Sequence, residues 1–228
     1  MHSVRSSAAL SVGVMLAMSA SFGQTPARVR GTVTSIDEGT LTVNERDGRV
    51  FKLKTGLHTS YAYVIPSNLQ AIRVGTFVGS AVKGPLSSMV AVELAIIPEN
   101  MQAGRISLYA WDPLADPTTL PASSIIPTNM TNGLVSRVSK VSPAASSMRK
   151  ASGTISGKKT GSRNLTLSVT YDNGSKSFQI VVPSNAPIVR YVLSDRSALA
   201  IGSSVMIKTK PGDEAGLVTI GKGVSPPM

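Results

Sequence analysis

The chain carries the same ordered run of short blocks twice, and this internal similarity constrains its fold more than any single motif. Val29-Arg30-Gly31-Thr32-Val33-Thr34 matches Ala151-Ser152-Gly153-Thr154-Ile155-Ser156, and Leu41-Thr42-Val43 matches Leu165-Thr166-Leu167. The turn pair Asp47-Gly48 matches Asn173-Gly174, and the run from Pro66 to Gly75 lines up with Leu193 to Gly202, after which Val78 meets Val205. Order and spacing hold throughout, with an offset that drifts by a few residues as small insertions accumulate. One module used twice is the expected organisation.

Each module reads as strands. Thr40-Leu41-Thr42-Val43-Asn44 and Val50-Phe51-Lys52-Leu53-Lys54 alternate polar and apolar residues on either side of Asp47-Gly48, the pattern of a β-hairpin with a two-residue turn. The second copy offers Leu165, Leu167 and Val169, then Phe178, Ile180 and Val182. Apolar runs at Val74 to Val82, Val90 to Ile97 and Val205 to Ile207 predict later strands buried more fully. Ser67 or Asn68, and Ser194 or Asp195, are placed to cap a single helical turn before Gly75 or Gly202 leads back into a strand. So many short strands in so few residues leave sheet edges to hide, and closure into a small barrel hides them. The predicted fold class is all-β: two tandem small OB-like β-barrels that dock on one another, a first over residues 24–98 and a second over 151–228. Residues 99–150, rich in Pro, Ser and Thr with Pro117, Pro121, Pro127 and Pro143, predict an irregular connector. Either part of it is mobile or it wraps across the modules with Tyr109 and Trp111 as anchors.

Residues 1–23 predict an export signal. Arg5 precedes an apolar stretch from Ala8 to Ala20 and the small residues Ser21-Phe22-Gly23, with cleavage expected after Gly23. That stretch is too short and too rich in Ser and Gly to span a bilayer, which takes about 20 apolar residues. A periplasmic or secreted mature chain follows. It has no Cys, which excludes disulfides, thiol chemistry and thiol-linked lipid. The formal net charge of +11 is spread along the chain without a dense block of Lys and Arg. Such a surface attracts polyanions or an anionic envelope, and equally serves solubility.

The Gly-Thr-Val strand opener, Leu-Thr-Val, the Asp-Gly hairpin, Pro98-Glu99-Asn100-Met101, the Trp111-Asp112 connector, Thr131-Asn132 and the terminal Gly223-Val224-Ser225-Pro226-Pro227-Met228 together resemble a family of small exported bacterial proteins. Its members carry tandem OB-like β-barrel domains of unknown function and are sometimes labelled metal ABC transporter permeases. The resemblance implies an envelope location and no established chemistry. A permease needs several spanning helices, and the mature sequence offers none.

The residues themselves argue for binding over catalysis. His58, in Gly56-Leu57-His58-Thr59, reads as a loop histidine, because a metal site or triad needs partners it lacks in sequence. Asp112 and Asp116 offer two oxygens without the spacing of a calcium loop, and Asp before Pro is the residue of a turn. Asp37-Glu38, Glu45 with Asp47, and Asp213-Glu214 fall at predicted hairpin turns. Glu99 follows a buried-looking run, where capping or a salt bridge to Arg105 is its expected role. Met89, Met101, Met130, Met148, Met206 and Met228 are scattered, as core fillers are, where a copper site would cluster them. No cofactor and no metal site are expected.

The candidate binding residues are Glu99, Tyr109, Trp111 and Asp112 at the connector, and Lys158, Lys159, Arg163, Lys176, Lys208 and Lys210 on a basic surface of the second module. The reading that follows is an exported, non-enzymatic binding or scaffolding protein whose partner is an envelope polyanion or an envelope protein. An accessory subunit of an envelope metal transporter is the alternative, and an enzyme working through carboxylates such as Glu99 and Asp112 a weaker one. A basic barrel also raises nucleic acid, which stacks on aromatics, with Tyr61, Tyr63, Phe77, Tyr171 and Tyr191 the candidates; export argues against it.

Overall fold

The computed structural model describes residues 25–102, 108–119, 124–140, 164–171 and 174–226. The signal segment, Ala151 to Ser156, Lys158, Lys159, Arg163, Arg105 and Asn173 lie outside the described residues. The described strands are β1 (Arg28–Asp37), β2 (Thr40–Glu45), β3 (Val50–Lys54), β4 (Ser60–Pro66), β5 (Phe77–Lys83), β6 (Met89–Ile96), β7 (Tyr109–Ala115), β8 (Ile125–Lys140), β9 (Leu165–Tyr171), β10 (Lys176–Val182), β11 (Ile188–Ser194), β12 (Ser204–Lys210) and β13 (Glu214–Gly221). No α-helix occurs among them.

Alternation sets the burial. In β9 the residues Leu165, Leu167 and Val169 are buried while Thr166 and Ser168 are half-buried, and β10 buries Phe178, Ile180 and Val182 between Gln179 and Val181. Between β2 and β3, Glu45 donates its N–H to Arg49 O and Gly48 donates to Glu45 O, with Gly48 at φ 86°. The connection is thus a three-residue loop closed by a left-handed glycine instead of the two-residue turn that Asp47-Gly48 predicts. Asn68 Oδ1 accepts from Ala71 N at the head of one 3-10 turn, and Asp195 Oδ1 accepts from Ser197 N at the head of another.

All strands hydrogen-bond along one path, β10-β9-β8-β5-β6-β11-β4-β13-β12-β1-β2-β3, with β7 added against β8. The path curls at both ends. Ile180 and Val181 of β10 pair with Met89 and Val90 of β6, which closes β5, β6, β8, β9 and β10 into a five-stranded barrel. At the other end, β3 meets β13 at Lys54 and Glu214, bringing β1, β2, β3, β12 and β13 round on themselves. The antiparallel pair β4 and β11 bridges the two assemblies.

This architecture departs from the sequence reading in how the strands are shared. The closed barrel draws β5 and β6 from residues 24–98 and β9 and β10 from 151–228. Residues 99–150 are also not wholly irregular, because they supply β7 and the long β8. The two prolines within these strands sit where a sheet tolerates them. Pro113 lies in the edge strand β7 at the register shift between Trp111 and Leu114, and Pro127 lies where β8 has only β7 beside it. With few residues in strict alternation there, composition hides the strands.

Three apolar cores result. One fills the closed barrel around Leu94, Leu167 and Ile180; one lies among β1, β2, β12 and β13 around Val29, Leu41 and Ile207. The third lies between them, where Ala62, Val64, Ala81, Ala95, Met130, Val189 and Tyr191 gather under Trp111.

Candidate binding groove

The site is built on β1. Val29 and Val33 point into a core, so the alternation of Arg28-Val29-Arg30 turns both arginines onto the outer face toward the third core. Strand β7 lies across that face, held by its pairing of Tyr109 with Met130 and of Trp111 with Thr128. Trp111 is 9% exposed, the Arg28 guanidinium carbon stands 3.9 Å over its ring, and Tyr109 meets it edge-on at 5.7 Å.

Asp112 joins the two strands electrostatically. Arg28 donates from Nε at 2.8 Å and from Nη2 at 2.6 Å, one bond to each carboxylate oxygen, and Arg30 Nη1 donates at 2.5 Å. The hydrogen bonds from Arg28 come first in holding the carboxyl down at about 2; partial burial opposes them and Arg30 adds to them. Thr128 Oγ1 donates to the Asp112 carbonyl at 2.8 Å and fixes the backbone. Below this clamp the Tyr191 hydroxyl is pushed up to about 12 by burial, with Glu93 adding and Thr219 and Arg30 opposing.

Donors outnumber acceptors in this layer. Arg30 Nε, Arg30 Nη2 and Trp111 Nε1 are buried without a hydrogen-bond partner among the described residues, while the Thr219 hydroxyl meets that of Tyr191. Beside them runs a groove of about 960 Å³ between β1 and β2 on one wall and β7 and the start of β8 on the other, with Ser225 and Pro226 of the C-terminal segment also lining it. Arg30, Thr32 and Arg46 face it from the first wall, Leu114 and Ile125 from the second. Glu45 and Asp47 on its rim are each bound by Arg49 at 2.6 Å.

The sequence candidates are placed unequally. Tyr109, Trp111 and Asp112 come together, and Lys208 stands opposite Arg28 in the β1–β12 ladder. Glu99 opens an exposed 3-10 turn and does not line the groove. Of the basic candidates that are described, Lys176 begins β10 of the closed barrel, whereas Lys208 and Lys210 are on β12. Asp112 and Asp116 are not a pair either. Asp116, with its side chain 3% exposed, binds Lys83 Nζ, Thr118 and Thr119, contacts that outweigh its burial and hold it well below the carboxylate range. His58 is exposed in its loop, where its carbonyl accepts from Lys210 Nζ at 3.4 Å. Among the described residues no three His, Cys, Asp or Glu side chains gather as metal ligands, and no helix is long and apolar enough to cross a membrane.

Arg28 and Arg30 are the site residues that motif reading misses. Their signal is the Arg-Val-Arg alternation, which puts two cations on one strand face without saying what covers it.

Comparison of the chain with protein-family models, with curated proteins and with solved structures finds no match.

Proposed function

We propose that this is an exported, non-enzymatic binding or scaffolding protein of the bacterial envelope, built from one OB-like module used twice, which receives its partner in the groove between β1 and β7. The observation that carries this reading is the groove beside the Arg28–Asp112–Arg30 clamp, lined by Arg30, whose Nε and Nη2 have no partner among the described residues. Acid-base work draws less support from the same residues. A general acid or base operates best with a pKa near the working pH, whereas Asp112 is held at about 2 between two arginines. The amino-terminal signal pattern and the resemblance to small exported proteins support the envelope assignment.

The doubling has its own support. Val33 to Ser35 in β1 and Val135 to Arg137 in β8 show the same register shift against β2 and β9, and Gly31 faces Val205 as Gly133 faces Val78. On this reading β8, rather than residues 151–156, is the second copy of β1.

The test is the thermal midpoint of the mature chain, residues 24–228, against divalent metals, anionic glycans and lipid headgroups at fixed ionic strength. A ligand of the folded state raises the midpoint by mass action. The expected result is a saturable rise with one class that disappears in Thr32→Trp, which fills the groove from an exposed position. A rise that survives the filled groove, or no rise with any class, overturns the reading.

A further inference from the structure

We infer that the inner end of the groove is a carboxylate-binding site centred on Arg30, for a singly charged ligand with an apolar body. The inference rests on the groove being a binding site, as proposed above, and names its ligand chemistry.

The protein supplies its own template. Arg28 grips the Asp112 carboxylate with the Nε and Nη2 edge of its guanidinium, two parallel bonds at 2.8 and 2.6 Å. Arg30 approaches the same carboxylate with Nη1 only and leaves the equivalent Nε and Nη2 edge without a partner. Buried guanidinium donors left unpaired cost their full desolvation, and an acceptor that matches the edge recovers it. Trp111 Nε1, in a residue 9% exposed, is a further donor without a partner close to the Arg28–Asp112 pair, although Trp111 does not itself line the groove. The group that this edge matches is an anion or a carbonyl, since a cation there would meet donors alone.

Charge and shape narrow it further. Around the groove Arg28, Arg30, Arg46 and Arg49 are matched in number by Asp112, Glu93, Glu45 and Asp47, so a ligand carrying many negative charges meets no surplus of cations and a single carboxylate is the better fit. A volume of about 960 Å³ far exceeds a lone carboxylate. The remaining wall is apolar, with Pro113, Leu114 and Ile125, and Ile125 is 67% exposed. Arg30 Nε and Nη2 are screened from water, so a ligand reaches them only when the groove lining around Arg30 shifts.

The experiment is isothermal titration of the mature chain with hexanoate and benzoate, set against hexanamide and benzamide at the same ionic strength. The carboxylates are expected to bind saturably and the amides at least about tenfold more weakly, as for loss of a charge-assisted bidentate pair. Arg30→Lys keeps a cation beside Asp112 but loses the planar edge, and is expected to weaken the carboxylates by about tenfold or more. Arg46→Gln, at the outer lip, should change affinity by less than about threefold. Trp111 is the sole tryptophan, so its emission in the unmutated protein should change along the same isotherm, which keeps the test open if a variant fails to fold. Equal binding of acid and amide, full affinity in Arg30→Lys, or binding without an emission change overturns the inference. If a glycan or headgroup occupies the groove and no carboxylate does, this inference falls while the binding reading stands; if no ligand class binds, both fall.

Discussion

Asp112 shows how much one side chain does in this fold. Its single charge is shared by two arginines that would otherwise repel each other on β1 more strongly, and it ties β7 to a strand far away in sequence. Its carboxyl lies below its ordinary 3.8, at about 2, so it binds fewer protons folded than unfolded between those values. The stability it contributes is therefore fully present above about pH 4 and is lost as pH falls toward 2. Asp112→Asn should cost about 1–2 kcal/mol at neutral pH, a figure discounted because a third of the side chain is exposed. Urea unfolding across pH 2 to 7 checks this: the gap between the two proteins should narrow as pH falls from about 4 toward 2, and a gap independent of pH would show that the charge is not the cause. Trp111→Ala leaves a hole in the third core and strands the Arg28 guanidinium. It should cost about 3 kcal/mol or more in the same assay.

At the scale of elements, two glycines decide where β1 and β8 can lie. An ideal Cβ on Gly31 would overlap the Asn44 carbonyl, and one on Gly133 would stand 2.5 Å from the Thr170 carbonyl oxygen. Neither obstacle is a side chain that can swing aside. Gly31→Ala and Gly133→Ala should each destabilise the protein by more than about 2 kcal/mol, against a gain of a few tenths where Ala fits. Thermal unfolding of the two variants tests this, and a neutral effect at either position would mean that the strands part without cost. These glycines also mark what sequence could reveal. Strands with clean alternation, such as β2, β3, β9 and β10, are legible because period two fixes which residues face a core. Strand β8 is not. Its proline and threonines imitate a loop, and its glycine is explained only by the strand it crosses. The site divides likewise: Trp111 and Asp112 stand out in a poor background, whereas Arg28 and Arg30 acquire meaning only when β7 is laid over them. Alternation names a face and says nothing about the neighbour across the ladder.

The whole molecule depends on pairings between distant parts of the chain. Strands β1, β2 and β3 sit with β12 and β13, and β5 and β6 sit with β8, β9 and β10, so neither assembly is complete within one half of the sequence. The antiparallel bridge of β4 with β11 and the ladder of β11 with β6 add further contacts between early and late strands. A cut between residues 141 and 163 would break the chain and none of these ladders. A protease site placed there should give two pieces that elute together at the size of the intact protein and separate only when denatured. Association should survive high salt, because the shared surfaces are barrel cores and backbone ladders that ions screen weakly, unlike the Arg28–Asp112 clamp. Pieces that part under native conditions would show that each half carries a barrel of its own, and the interlaced strand order would then have to be abandoned. The same cut leaves both groove walls on one piece, β1 and β2 with β7 and β8, while Ser204, Ser225 and Pro226 of the lining lie on the other. A ligand of the groove should accordingly bind the nicked protein as it binds the intact one, and should slow the exchange of labelled pieces between nicked molecules in proportion to its occupancy.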